Sequence, residues 1–532
     1  MTYASQSPLS SGQREPVNQP VSISARLGRL QFHASGKFRI LQFTDIQDGP
    51  TVSPDTIRLI EATCDAARPD LVIFTGDQIA GYDTAFMATC RKRRWPTAWD
   101  GVYATSRAVG KGVNSLVDAA MRGLTSQEDP ASSSTQKSAP KSTEPQGSAG
   151  STAAFGDDGS DIAAASNVAA GVNSADARES ATPSAAPVYS TEEDPYASTR
   201  EMVRKQAAQF LQPLIDRGIP FAVTYGNHDF QCGLETSELD AIYREFPGCL
   251  NPEVSGTSAL RAKAVPTSGL KDQVAYACEP GTFALPVSSL ERDNNVIGIV
   301  ITDSGDYARE GGYGTPSERA VEWMGRIPQV LRTKSIVFQH IPLPQFYHLL
   351  KPVPATTAYA IQGYRTYDKQ CYVIDDSVTQ PGGYLGEGVS CPDTDAGEFA
   401  AMKDSGGYFA LFAGHDHRNA YVGEYDGIML GATPTCGFGS YGPPAPKRAA
   451  RLLEFDIRHP YHPRTQLLEF GDIVGKPSSR AVYTFAMSHL PKGPADATNL
   501  LRKPGVLAGA AAAVAGIGAA FLGRLGKGDK KK

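Results

Sequence analysis

Eight cysteines are spread along the 532-residue chain without a single C-x-x-C pair, which excludes zinc ribbons and thioredoxin-like redox motifs and leaves most of them as buried or idle thiols. An excess of basic charge is missing too. The 51 Lys plus Arg stand against 56 Asp plus Glu, a net charge of −5, so there is no broad positive field for a phosphate backbone and nucleic acid is not an expected partner. Residues 1–16 lack a basic start followed by an apolar run, so no secretory signal is read there. A reducing cytoplasm is the expected compartment, with a Cys371 to Cys391 disulfide as the lesser alternative. G-x-S-x-G, H-E-x-x-H and G-x-x-x-x-G-K-[ST] are all absent, so no serine-hydrolase elbow, zincin helix or Walker loop points elsewhere.

Aromatics nearly vanish from one long stretch. Of the 60 residues from 131 to 190, 41 are Ala, Ser, Thr, Gly or Pro, and only Phe155 and Tyr189 are aromatic. Such a segment cannot bury enough apolar surface to offset its ordering entropy, so 126–195 is expected to be a disordered insertion and 1–20 a disordered N-terminus. The folded domain is expected over 21–125 and 196–490. At the other end, 505–522 runs 18 residues without a charge, followed by the basic tail 523–532. That length is the lower edge for a spanning helix, and its Ala and Gly drive insertion weakly. A single membrane anchor and a helix docked on the protein or lying at a membrane surface are both open, so membrane association is expected, if anywhere, through this segment.

What is present is an alternation of short β-branched runs with helical patterns. Phe38–Thr44, Leu71–Thr75, Phe221–Tyr225, Val296–Thr302 and Ser335–Gln339 read as buried strands. Ser53–Ala67, with Ser as N-cap and Pro at the first helical position, Arg200–Asp216 and Ser317–Leu331 read as helices. Tyr408–Ala413, Ala420–Tyr425, Gly427–Leu430 and Arg451–Asp456 suggest a second run of strands. The pattern predicts a layered α/β domain.

Polar residues fall where these strands end. Asp45 follows the first, in TDIQD; Gly76 and Asp77 follow the second, in TGDQ; Asn227, His228 and Asp229 follow the third, in YGNHDF. His340 ends another in FQHIPLP, and His415 and His417 follow in AGHDHRN. Ligands of open α/β sheets bind outside the carboxyl ends of strands. A set of Asp, Asn and His without thiolate suits Mn, Fe, Zn or Mg rather than copper or an iron-sulfur cluster, and a carboxylate bridging ions about 3.5–4 Å apart would permit two-metal catalysis on a phosphate ester. A lone GD or GH is common in turns. Four of the nine histidines in these motifs, in this order, are much harder to obtain by chance.

With GNHD and GHDH as its specific parts, the chain resembles the calcineurin-like metallophosphoesterase superfamily, over roughly 36–125 and 196–475. HIPLPQF and the stretch from Gly414 to Gly442 look like its branch of purple-acid-phosphatase-like proteins. The resemblance implies a four-layer sandwich, two mixed β-sheets flanked by helices, and a centre of two divalent ions. It assigns Asp77 as the bridge, Asp45 and His417 to the first ion, and Asn227, His340 and His415 to the second. It places His228 beside the substrate phosphate as stabiliser or acid, with Asp229 orienting its ring, and makes a metal-held hydroxide the nucleophile.

Two positions depart from the family pattern. Gln47 stands where D-x-H has its histidine, a poorer donor than imidazole to Zn or Fe; Asp48 offers compensation through water. Ala80 stands where true purple enzymes carry their iron-binding tyrosine, so no purple colour is expected. The expected function is a metal-dependent phosphoesterase acting on a phosphorylated substrate, foremost a phosphomonoesterase. The alternatives are a phosphodiesterase or nucleotide hydrolase with the same site, and a degenerate phosphate-binding protein, which Gln47 motivates. The basic run Arg91–Arg94 reads as a solvated charge run, and loops such as 231–290 and 345–400 are expected to hold specificity. Tyr441 reads equally as a substrate contact and as part of a turn.

Overall fold

The strand Lys37–Phe43 builds two cores at once. Successive strand side chains point to opposite faces, and accordingly Phe38 and Ile40 enter one buried cluster while Leu41 and Phe43 enter another. The neighbouring strand Leu71–Thr75 repeats the division, with Leu71 and Ile73 on one side and Val72 and Phe74 on the other. The computed structural model describes residues 20–93, 194–254, 264–489, 491 and 494–503. Residues 1–19, the Ala/Ser-rich stretch up to residue 193, the apolar segment 505–522 and the tail 523–532 lie outside the described residues. Among the described residues no helix is long and apolar enough to cross a membrane.

The first sheet runs, edge to edge, Arg464–Glu469, Ala449–Asp456, Lys37–Phe43, Leu71–Thr75 and Phe221–Thr224. Its last three strands are parallel, linked in sequence through the helices Pro54–Ala67 and Ala197–Arg217. The second sheet runs Val422–Tyr425, Ile428–Ala432, Tyr408–Ala413, Ser335–Gln339, Asn295–Ile301, Thr282–Ser288, Val274–Glu279 and Ala264–Pro266, with a parallel centre and antiparallel edges. A three-stranded sheet, Ile361–Gln362, Cys371–Ile374 and Leu350–Val353, stands apart.

Three clusters order these elements into layers. One joins both large sheets, Phe38, Ile40 and Ile73 from the first with Leu285, Ile299 and Phe338 from the second. A second packs the first sheet under Leu59 and Ile60 of one helix and Phe210 and Leu211 of another. The third packs Val300, Val337 and Leu411 under Trp323 and Ile327 of the helix Glu318–Leu331. The result is the expected sandwich of two mixed sheets with helices outside. Phe74, fully buried and stacked on Phe43 at 5.6 Å, ties sheet to helices, and its truncation to Ala should cost about 3–5 kcal/mol.

Most expected elements appear within a residue or two. The helix after Ser53 starts at Pro54, but the Ser53 hydroxyl makes no cap bond; its amide instead donates to Asp48. The stretch 231–290 is not loop alone, since it contains the helix Thr236–Arg244 and the antiparallel pair Val274–Glu279 and Thr282–Ser288. Pro280 and Gly281 form the turn of that pair, and Pro286 lies within a strand, so the composition reads as loop. No cysteine among the described residues is bridged: Cys371 and Cys391 are both free.

Candidate metal centre

The side chains expected to gather at one rim do so under backbone strain. Asp45, Gln47, Asp77 and His415 all have positive φ, at 54°, 42°, 53° and 71°. A left-handed backbone costs a non-glycine residue about 1–3 kcal/mol and persists where its surroundings over-determine it, commonly at functional sites. The motif glycines allow the close approach. A Cβ on Gly226 would overlap Asp77 Oδ1 and the His340 ring, and one on Gly414 would overlap Thr44 Oγ1.

Two triads of potential ligands result, one of Asp77, His340 and His415 and one of Asp45, Asp77 and His417, each with donor atoms within 4.8 Å of one another. Asp77 belongs to both. Its Oδ2 lies 3.3 Å from His340 Nε2, while its Oδ1 accepts the His228 amide at 2.8 Å. His340 Nε2 and His415 Nδ1 are 3.0 Å apart. On the other side, His417 Nε2 lies 3.2 Å from Asp45 Oδ1. Backbone carbonyls set two of the imidazoles: His340 Nδ1 donates to Thr75 O at 2.9 Å and His417 Nδ1 to Tyr441 O at 2.7 Å, which turns each Nε2 toward the carboxylates as the nitrogen that could meet an ion.

Asp45 Oδ1, Gln47 Oε1, Asp77 Oδ2, Asn227 Oδ1 and His415 Nε2 are all buried without a hydrogen-bond partner. Each unpaired buried acceptor costs about 1–3 kcal/mol. So many acceptors without donors in one cleft form the donor set of divalent cations, and the residues present fit a dinuclear centre. The buried carboxylates also draw positive charge toward them. Burial alone would lower His340, yet the Asp77 and Asp45 carboxylates push it up to about 10. Asp77 is held below the usual carboxylate range despite burial, by His340 and His228. Burial and the His340 charge drive His415 well below the usual range, the neutral form a ligand needs.

The residues around these candidate ligands depart in part from the expectation. Asp229 does not meet the His228 ring. Its carboxylate accepts the amides of Asp77 and Gly226, both at 2.8 Å, and of Ile79 at 3.0 Å, because the tight turns around it leave those N–H groups pointing inward. Burial and the Asp77 charge push it up to about 8. Gln231 takes the expected place beside His228, with Oε1 2.8 Å from Nδ1. Asp48 Oδ2 accepts the Ser53 amide and the Thr56 hydroxyl, at 2.9 and 3.0 Å. Tyr441 stacks on His417 at 4.1 Å, so it supports a ligand.

Other neighbours carry no motif. Tyr307 OH accepts Asn227 Nδ2 at 2.8 Å, which aims Asn227 Oδ1 away from that bond, and Arg93 lies over the Tyr307 ring. Tyr313 sets its edge against His415, and Tyr82, two residues past Ala80, sets its edge against His228 at 4.9 Å. Gln231, by contrast, has a sequence signal. It follows His228 by three residues at the 3-10 turn Asp229–Cys232, where positions three apart eclipse.

No family model matches the chain. Three Arabidopsis thaliana proteins are similar over about half of it. They are named probable inactive purple acid phosphatase 14, 21% identical over 272 residues, and probable inactive purple acid phosphatases 29 and 28, each 23% identical, over 265 and 273 residues. The alignments take in 46–49% of this chain, and the chain spans only 58–60% of those relatives' length. Among solved structures, a dimetal phosphatase from Danio rerio superposes with a TM-score of 0.33 at 8% identity, over 81% of this chain and 99% of that one. PhoD gives 0.36 at 9% identity, over 82% and 69%. The curated relatives and the strand-end ligand set together support a relationship to the calcineurin-like metallophosphoesterases.

Proposed function

We propose that the chain hydrolyses phosphate esters, phosphomonoesters first, at a centre of two divalent ions. The carrying observation is the sharing of Asp77 between two buried ligand triads, with Asp77 Oδ2 itself unpaired. Asp45 and His417 would hold the first ion, Asn227, His340 and His415 the second, and Gln47 Oε1 is the additional donor on the first side. Two bound divalent ions supply Lewis-acid polarisation of the phosphoryl oxygens and a water of lowered pKa. The chain's own part is proton handling and alignment. His228, part-buried with Nε2 3.9 Å from Asp77 Oδ2, faces the shared ligand and is suited to give a proton to the leaving oxygen. Asp229 fastens the Asp77, Ile79 and Gly226 amides, so the bridge cannot drift.

Gln47 supports a second reading, a phosphate-binding protein without turnover, and the names of the Arabidopsis relatives lean the same way. Metal content and turnover decide between them. Chain dialysed against chelator and reloaded with Mn, Zn, Fe or Mg is assayed with an aryl phosphate and its bis-ester. Two equivalents of metal with monoester turnover support the phosphomonoesterase, and faster bis-ester turnover replaces it by a diesterase. One equivalent and no turnover with any metal leaves the binding protein.

A further inference from the structure

The hydrogen bonds behind His228 form a chain in which every donor is determined. Gln231 Nε2 lies 3.1 Å from the carbonyl oxygen of Lys92. A carbonyl only accepts, so the amide nitrogen must face Lys92 and Gln231 Oε1 must face His228. That oxygen, 2.8 Å from His228 Nδ1, also only accepts, so Nδ1 carries the hydrogen. Nε2 is left with the lone pair in the neutral ring and with the transferable proton in the imidazolium. It is also the nitrogen on the side of Asp77 Oδ2.

We infer that Gln231 is the positioning residue that holds His228 as its Nδ1–H tautomer and keeps Nε2 turned to the phosphate. The inference rests on the proposed hydrolysis for its kinetic consequence, and on the hydrogen bonds alone for the tautomer. In the step it serves, imidazolium Nε2–H passes its proton to the ester oxygen as the phosphorus–oxygen bond breaks, and the ring returns to the neutral Nδ1–H form that Gln231 Oε1 already binds. Only protonation at Nε2 completes that cycle without a ring flip. The clamp has its own support: the Arg91 amide donates to Gln231 O at 3.0 Å, the Arg91 guanidinium reaches Gly233 O and Glu235, and the Thr89 hydroxyl donates to Cys232 O at 2.7 Å. The segment 89–92 is thereby fastened to 231–235, and the Lys92 carbonyl is held where Gln231 needs it.

The test uses the full chain labelled with 15N-histidine, with His228→Ala assigning the His228 signals, recorded with and without added Zn. Wild type should show His228 as Nδ1–H; Gln231→Leu should shift it toward Nε2–H; Gln231→Glu, which keeps an acceptor, should restore Nδ1–H. In kinetics, Gln231→Leu should lower kcat on an alkyl phosphate about tenfold, a part of the roughly 10²-fold or more that general acid catalysis supplies. KM should hardly move, the loss should shrink on an activated aryl phosphate, and it should vanish in a His228→Ala background. An Nε2–H wild type, a tautomer unmoved by Gln231→Leu, or a loss that persists without His228 overturns the inference. A wild type that turns over no ester removes the proposed hydrolysis while the tautomer measurement still decides the role of Gln231.

Discussion

The two triads that meet at Asp77 are built to different standards. On one side stand two imidazoles, His340 and His415, with nitrogens 3.0 Å apart, and Asn227, whose amide nitrogen is already committed to Tyr307. On the other stand Asp45, one imidazole, and Gln47, whose carbonyl oxygen is buried and unpartnered. Imidazole suits Zn and Fe better than an amide does, whereas carboxylate and amide oxygens suit harder ions such as Mg and Mn. Equal burial and similar strain therefore do not make equal sites. The His340 side should fill first, and the Asp45 side should set the metal concentration at which the chain becomes active.

The strongest way to break this comparison is to remove what the sides share. Asp77→Asn should cost both ions and several kcal/mol of transition-state stabilisation, a loss of about 10³-fold or more in kcat/KM. Near wild-type turnover with full metal would disprove the shared centre. Next, the sides separate by single deletions: His415→Ala should lose the tighter equivalent of metal and His417→Ala the weaker, each read by calorimetric titration. Identical titrations for the two variants would show one site rather than two.

His228→Ala lies outside both sides. It should leave both binding steps in place and lower kcat on a poor-leaving-group ester by roughly 10²-fold, with a smaller loss on an aryl ester; equal losses would assign His228 to electrostatic support of the phosphate. The smallest effect sharpens the comparison most. Gln47→His should tighten only the weaker site and raise activity at limiting metal without changing it at saturation. An unchanged titration would mean that Gln47 already serves or stands apart from the ion.

The five strand ends were legible because each pairs a β-branched apolar run with an abrupt polar turn, and because GNHD and GHDH are specific. The supporting residues were not. Tyr307, Tyr313 and Tyr82 lie in segments without periodicity, and their place beside Asn227, His415 and His228 depends on loops closing from other parts of the fold. The hairpin Val274–Glu279 and Thr282–Ser288 was hidden by proline and glycine that tertiary pairing tolerates.

The types of candidate ligand and their order along the chain are legible in the residues alone, since donor chemistry and strand-end placement are local properties. What stands behind them is settled by the packing of distant segments. A side chain's hydrogen-bond partner depends on directions set by left-handed turns and by contacts more than a hundred residues apart. Such geometry turned Asp229 toward the Asp77 amide and brought Gln231, tied to Lys92, to the imidazole of His228.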